Sequence, residues 1–99
     1  MHIIRKWEYT YPGGDLEIIE VIQTHDKKYS QGIKFSFLYL RYEPPSGAYV
    51  PMLAIDNSHG QTHLHYLGRK PIPVNYDWKQ ALSEFDRLVE EYRKREGLL

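Results

Sequence analysis

Three of the chain's five histidines fall within Asp56-Asn57-Ser58-His59-Gly60-Gln61-Thr62-His63-Leu64-His65-Tyr66, beside an acid, an amide and a glycine. Imidazole is the side chain that changes charge near neutrality, so two of them held together can supply a base and an acid in one step. Cleavage of RNA by attack of the ribose 2′-hydroxyl on its own phosphate needs that pair. His63 and His65 are the natural partners, with Asp56 and His59 close enough in sequence to assist. Arg41, Arg69 or Lys70 could offset charge growing on the phosphate, and Tyr42 and Tyr66 could stack on bases. The same atoms admit a second chemistry, because His-x-His with a nearby acid is also a ligand spacing for zinc or a similar ion, held by His63, His65 and Asp56. The plain alternative is an exposed hairpin in which Asp56 and Asn57 merely form a turn.

Either chemistry requires elements that bring these side chains to one place. Leu53 and Ile55 read as the end of a strand, Asn57 to Gly60 as a turn in which Gly60 takes a positive φ, and His63 to Tyr66 as the returning strand. Side chains alternate along a strand, so His63 and His65 share one face with α-carbons roughly 6.6 Å apart. Asp56 and His59 approach that face from the turn.

The remaining segments supply a platform. Ile3, Trp7, Tyr9 and Tyr11 alternate with Lys6, Glu8 and Thr10, which predicts a first strand with one covered face. Pro12-Gly13-Gly14-Asp15 then turns it into Leu16 to Ile22, where apolar parity slips between Ile18 and Ile19, through a bulge or burial on both faces. The run from His25 to Gly32 is a polar loop, with charges in water or a phosphate-attracting tip. Ile33, Phe35, Phe37 and Tyr39, with Leu38 and Leu40 on the opposite parity, predict an internal strand. Tyr49 to Ile55 resumes extended structure, and Pro51 puts part of it at an edge. Residues 68 to 74, broken by prolines, form a crossing segment.

The last element is a helix. Asp77 caps it with Gln80 as reciprocal partner, and Trp78, Ala81, Leu82, Phe85, Leu88, Val89 and Tyr92 recur at helical spacing. This stripe should pack on Ile3, Ile18, Phe35 and Phe37, leaving Glu84, Asp86, Glu90, Glu91, Arg93, Lys94 and Arg95 in solvent. The expected architecture is α+β, one domain over 1–99. Its mainly antiparallel sheet of four or five strands occupies about 2–74, with one amphipathic helix, about 77–96, packed on one face.

Composition bounds the function. Ninety-nine residues leave no room for separate catalytic and recognition domains, and thirteen Lys and Arg against thirteen Asp and Glu give no net field. The absence of cysteine excludes disulfides and thiolate chemistry and agrees with a reducing, cytoplasmic setting. No stretch approaches the ~20 apolar residues of a membrane span, and no membrane partner or cofactor is called for. Apolar strand positions and nine tyrosines exceed what one helix covers, which makes a homodimer through a sheet edge or the helix flank an expectation.

The pattern Asp56-Asn57-Ser58-His59-Gly60, followed by His63 and His65, preceded by the turn at Pro12-Gly13-Gly14 and followed by a capped amphipathic helix, resembles the TumE-like toxin family of prokaryotic toxin–antitoxin systems. The likeness spans nearly the whole chain, but its specific part is the Asp-Asn-x-His-Gly-x-x-His-x-His motif. It implies a cytoplasmic toxin that cleaves RNA and is neutralised by a helix-turn-helix antitoxin protein, with a site at Asp56, Asn57, His59, His63 and His65. A non-catalytic RNA- or protein-binding module and a metal-dependent hydrolase are the competing expectations.

Overall fold

The computed structural model describes residues 2–98. Six strands, β1 (His2–Thr10), β2 (Leu16–Gln23), β3 (Ile33–Glu43), β4 (Ala48–Asp56), β5 (His63–Tyr66) and β6 (Ile72–Pro73), precede the helix α1 (Trp78–Arg95). Each strand pairs with the next in the order β1-β2-β3-β4-β5-β6, all antiparallel, so the sheet is a meander. The α+β architecture is the one the sequence predicts, with one strand more. The sixth strand lies inside the proline-broken segment, where two residues between Pro71 and Pro73 give no periodicity to read.

The helix begins at the predicted capping box: the Gln80 amide donates to the Asp77 carboxylate at 2.8 Å, and the Asp77 amide donates to the Gln80 side chain at 3.0 Å. It buries Ala81, Phe85, Leu88, Val89 and Tyr92, while Trp78 and Leu82 are half-buried at its margin. Register decides which strand residues they meet. Ile19, Phe37 and Ile55 are successive partners across β2, β3 and β4, as Val21 and Phe35 are across β2 and β3, and all five are buried. Ile19 and Val21 therefore stand where Ile18 was expected. Ile18 lies on the opposite face, and the unbroken β2–β3 register assigns the parity slip to burial on both faces, with Ile22 the buried residue of the far side.

One expectation fails at the edge of the sheet. In β1 all nine residues are exposed, Ile3 at 59%, because α1 packs chiefly over β3 and β4. The only register shift between β1 and β2 falls in β1, between Ile3 and Arg5. Pro51 does lie where β4 has a strand partner on one side alone: β5 pairs only with Leu53–Asp56, and a bulge separates Leu53 from Pro51 opposite β3.

Arg93, expected in water, is 4% exposed. Its guanidinium donates to the Tyr39 hydroxyl at 2.9 Å and to the Leu98 carbonyl at 3.2 Å, approaches Asp15 at 3.6 Å and lies over the Tyr11 ring at 3.9 Å. Tyr39 in turn donates to Asp15, whose other oxygen accepts the Tyr42 amide at 2.9 Å. These bonds fasten the helix end to the first hairpin turn and to β3.

Two outcomes follow from this core. Phe85→Ala should cost roughly 3–5 kcal/mol and Arg93→Ala a similar amount, the first through a cavity and the second by leaving Asp15 buried without its partner, both read in denaturant melts. Burial, then hydrogen bonding to Asp15, pushes the Tyr39 hydroxyl well above its ordinary 10.0, and burial with Glu17 does the same for Tyr11. A group raised on folding contributes fully below its unfolded value, and that contribution is lost as pH rises beyond it. The denaturation midpoint should therefore fall progressively above pH ~10, and less so in Tyr39→Phe.

Candidate functional site

The β4–β5 register sets Asp56 opposite His63 and Ala54 opposite His65, while β3 places Ser36 opposite Asp56. Directly opposed residues share a face, so Ser36, Asp56, His63 and His65 stand together on the side of the sheet away from α1. There His65 Nε2 lies 3.2 Å from the Asp56 carboxylate, and the two imidazole rings are 6.3 Å apart between centroids. The other Asp56 oxygen accepts from the Ser58 amide at 3.2 Å and the Ser58 hydroxyl at 2.9 Å. Asp56 is thus held from below by the turn and holds His65 from the side.

Hydrogen bonding also assigns the ring protons. His63 Nδ1 is 3.1 Å from the Gln61 carbonyl, an oxygen that only accepts, so Nδ1 carries a hydrogen and Nε2 is the nitrogen left for a substrate proton. At His65 the carboxylate accepts from Nε2. Both rings are partly exposed. Two imidazoles fixed by different acceptors, with a gap between them, can hand a proton to one oxygen and take it from another.

Asn57 is spoken for. It is buried, its side-chain oxygen accepts the Phe35 amide at 2.9 Å and its NH₂ donates to the Ile33 carbonyl at 2.8 Å, so the side chain extends the β3 ladder. His59 is exposed at the turn, and the bonds that bind Asp56 to Ser58 and His65 run without it. Among the described residues no three His, Asp or Glu side chains converge on a point that could hold a metal ion; His63, His65 and Asp56 share a face but not a centre.

The substrate-binding residues read from sequence are scattered. Arg41 is five positions along β3 from Ser36, about 17 Å at strand rise, where it pairs with Glu43 at 2.7 Å. Tyr42 is at that same distant end, against Tyr49. Tyr66 pairs across from buried Leu53 on the helix side, with Arg69 over its ring at 5.8 Å. Lys70 is exposed in the turn before β6.

The loop from His25 to Gly32 contributes instead. Tyr29 is buried against the hairpin and donates to the Ser58 carbonyl at 2.9 Å, with the Lys28 and Lys34 ammonium groups 5.2 and 6.0 Å from its ring. Lys34 has the parity of Ser36 and so belongs to the histidine face. Gly60, at φ 89°, lets the tip approach so closely that a β-carbon there would sit 2.8 Å from the Lys28 carbonyl. Sequence reading missed these cations, although the even parity of Lys34, Ser36, Asp56 and the loop's phosphate-attracting alternative both pointed toward them.

Asn57→Ala should therefore cost roughly 1–3 kcal/mol of stability by stranding the Phe35 amide and Ile33 carbonyl, whereas His59→Ala should leave the melt unchanged; equal losses in both would disprove this division of labour. No family model matches the chain, and no curated protein and no solved structure matches it either.

Proposed function

We propose that the chain is the toxin of a toxin–antitoxin system and cleaves RNA by metal-independent acid–base catalysis at the Asp56–His63–His65 cluster. The observation that carries this reading is the Asp56–His65 contact at 3.2 Å with His63 beside it, on a sheet face that no helix covers. In this scheme Asp56 orients the His65 ring, one imidazole removes the 2′ proton, and the other protonates the departing 5′ oxygen. The 2′ oxygen forms a bond to phosphorus as the bond to the 5′ oxygen breaks, leaving a 2′,3′-cyclic phosphate. Lys34 and Lys28 take the role expected of Arg41, Arg69 or Lys70, offsetting charge on the phosphate. The partner that neutralises such a toxin is, on the resemblance stated above, a helix-turn-helix protein.

A binding module without catalysis is the second reading, favoured by the half-buried Leu16, Ile18, Leu38 and Leu40 that share the open face with the histidines. One experiment separates the two. Labelled RNA incubated with a substoichiometric amount of protein in chelator should shorten over many turnovers, with a bell-shaped rate between about pH 5 and 8. His63→Ala and His65→Ala should each lower the rate at least ~100-fold, and Asp56→Asn on the order of 10- to 100-fold. Lys34→Ala should raise KM, while Arg41→Ala should leave both constants in place. RNA that is bound but never shortened would return the site to the binding reading, and loss of cleavage in chelator would move it to the metal-dependent one.

A further inference from the structure

The two edges of the sheet are treated very differently. At one, β6 has two residues and is flanked and ended by Pro71 and Pro73, so it offers little ladder to a neighbour. At the other, β1 has nine residues, no proline, and every residue exposed, among them Trp7 at 38% and Tyr9 at 50%. Its backbone alternation is fixed by the turn. The Tyr11 amide donates to the Asp15 carbonyl at 2.8 Å, so Tyr9, Trp7 and Arg5 bond inward to β2, and the amides and carbonyls of Lys6, Glu8 and Thr10 point outward.

We propose that β1 pairs antiparallel with β1 of a second copy of this chain, about a two-fold axis at Trp7, to make a continuous twelve-stranded sheet. Symmetry and charge select this register. In a continuous sheet a two-fold axis between antiparallel copies keeps each residue on its own face, so a residue of β1 must stand opposite itself at the centre. Centring on Arg5, Lys6 or Glu8 opposes identical charges, which is unfavourable. Centring on Tyr9 overlaps little of the strand before the Pro12 turn and leaves Arg5 and Lys6 unmatched.

Centring on Trp7 sets Lys6 against Glu8 of the second copy twice over, and Arg5 against Tyr9 twice over. Lys6 already has Glu20 at 3.7 Å on its β2 side, so it would lie between two carboxylates, whereas Glu8 has a neutral β2 neighbour, Ile18. Lys6 and Glu8 carry the outward backbone groups, so their pairs exchange two hydrogen bonds each. The central Trp7 pair is then of the closely spaced, non-hydrogen-bonded kind, in which side chains meet best. On the helix side, Arg5 lies 4.8 Å from its own Trp7 ring, and an aromatic neighbour from the second copy extends that stack. The inference stands independently of RNA cleavage, since β1 and the histidine cluster are at opposite sides of the sheet.

Sedimentation of the full chain at ~100 μM should give twice the mass of one chain. Lys6→Glu alone opposes four acids and Glu8→Lys alone opposes four bases, so each should weaken self-association at least about tenfold. An equimolar mixture of the two variants should restore the dimer, because every cross-pair is then of opposite sign. The register has its own readout in a chain without cysteine: Trp7→Cys should form a disulfide dimer on mild oxidation, its α-carbons being about 4.5 Å apart across the axis, and Thr10→Cys should not. A monomer at that concentration, no rescue in the mixture, or crosslinking of Thr10→Cys as fast as Trp7→Cys would each overturn the proposal. Circular dichroism of the variants should match the parent, as all four positions are exposed.

Discussion

A guanidinium taken out of water must be met by partners, and the arrangement of this chain turns on how Arg93 is met. Its neighbours come from three parts of the chain: Tyr11 and Asp15 at the first turn, Tyr39 in the central strand, and the Leu98 carbonyl just beyond the helix. Coulomb attraction inside a protein is strong, but desolvating both ions cancels much of it, so such a cluster is better understood as a specification of geometry than as a source of net stability. With the helix end tied to the β1–β2 turn and its start set by the Asp77–Gln80 box, the apolar stripe between them packs over β3 and β4.

That placement separates the two faces of the sheet by task. Odd positions of β2 and β3 meet the helix and form the core, while even positions, Ile18, Lys34, Ser36, Leu38 and Leu40, look outward. Because strand side chains alternate, packing Phe37 and Ile55 under Phe85 obliges Ser36, Asp56, His63 and His65 to appear on the uncovered side. The Asn57 side chain then continues the β3 ladder past the end of β4, and Tyr29 holds the Ser58 carbonyl, so the turn that carries the acid is fastened from both sides. The proton transfers proposed above would need such support, since small displacements of a base cost rate steeply.

Much of this was legible in the sequence, for reasons particular to each residue. The capping box and the 78–92 stripe were readable because helix signals are local, and the His63–His65 face was readable because two residues two apart on a strand must share a side. What could not be read was which strand residue met which. Ile18 and Ile19 are adjacent and both apolar, and only the β3 register, a contact made across a turn and loop, gives the core to Ile19. Arg93 was misassigned for the same reason: within the helix it looks like one more basic residue near the C-terminus, and its acid lies seventy-eight positions away. Arg41 was drawn toward the histidines by its charge, but strand rise alone separates it from Asp56.

The scattered cations also say how a neutral chain would handle an anionic substrate. With equal numbers of acidic and basic residues there is no long-range field to gather phosphates, so attraction must come from charges within a Debye length of the site. Lys28 and Lys34 are the candidates, since they flank the ring of Tyr29, whose hydroxyl braces the turn carrying Asp56 and Ser58. In the proposed scheme one buried aromatic would therefore join the two requirements of acid–base cleavage, because whatever fixes the loop that carries Lys28 also fixes the turn that carries Asp56. Of the two readings the sequence left open for this polar loop, charges in water or a phosphate-attracting tip, the contacts of Tyr29 favour the second, since they tie the loop to the turn beside the histidine pair.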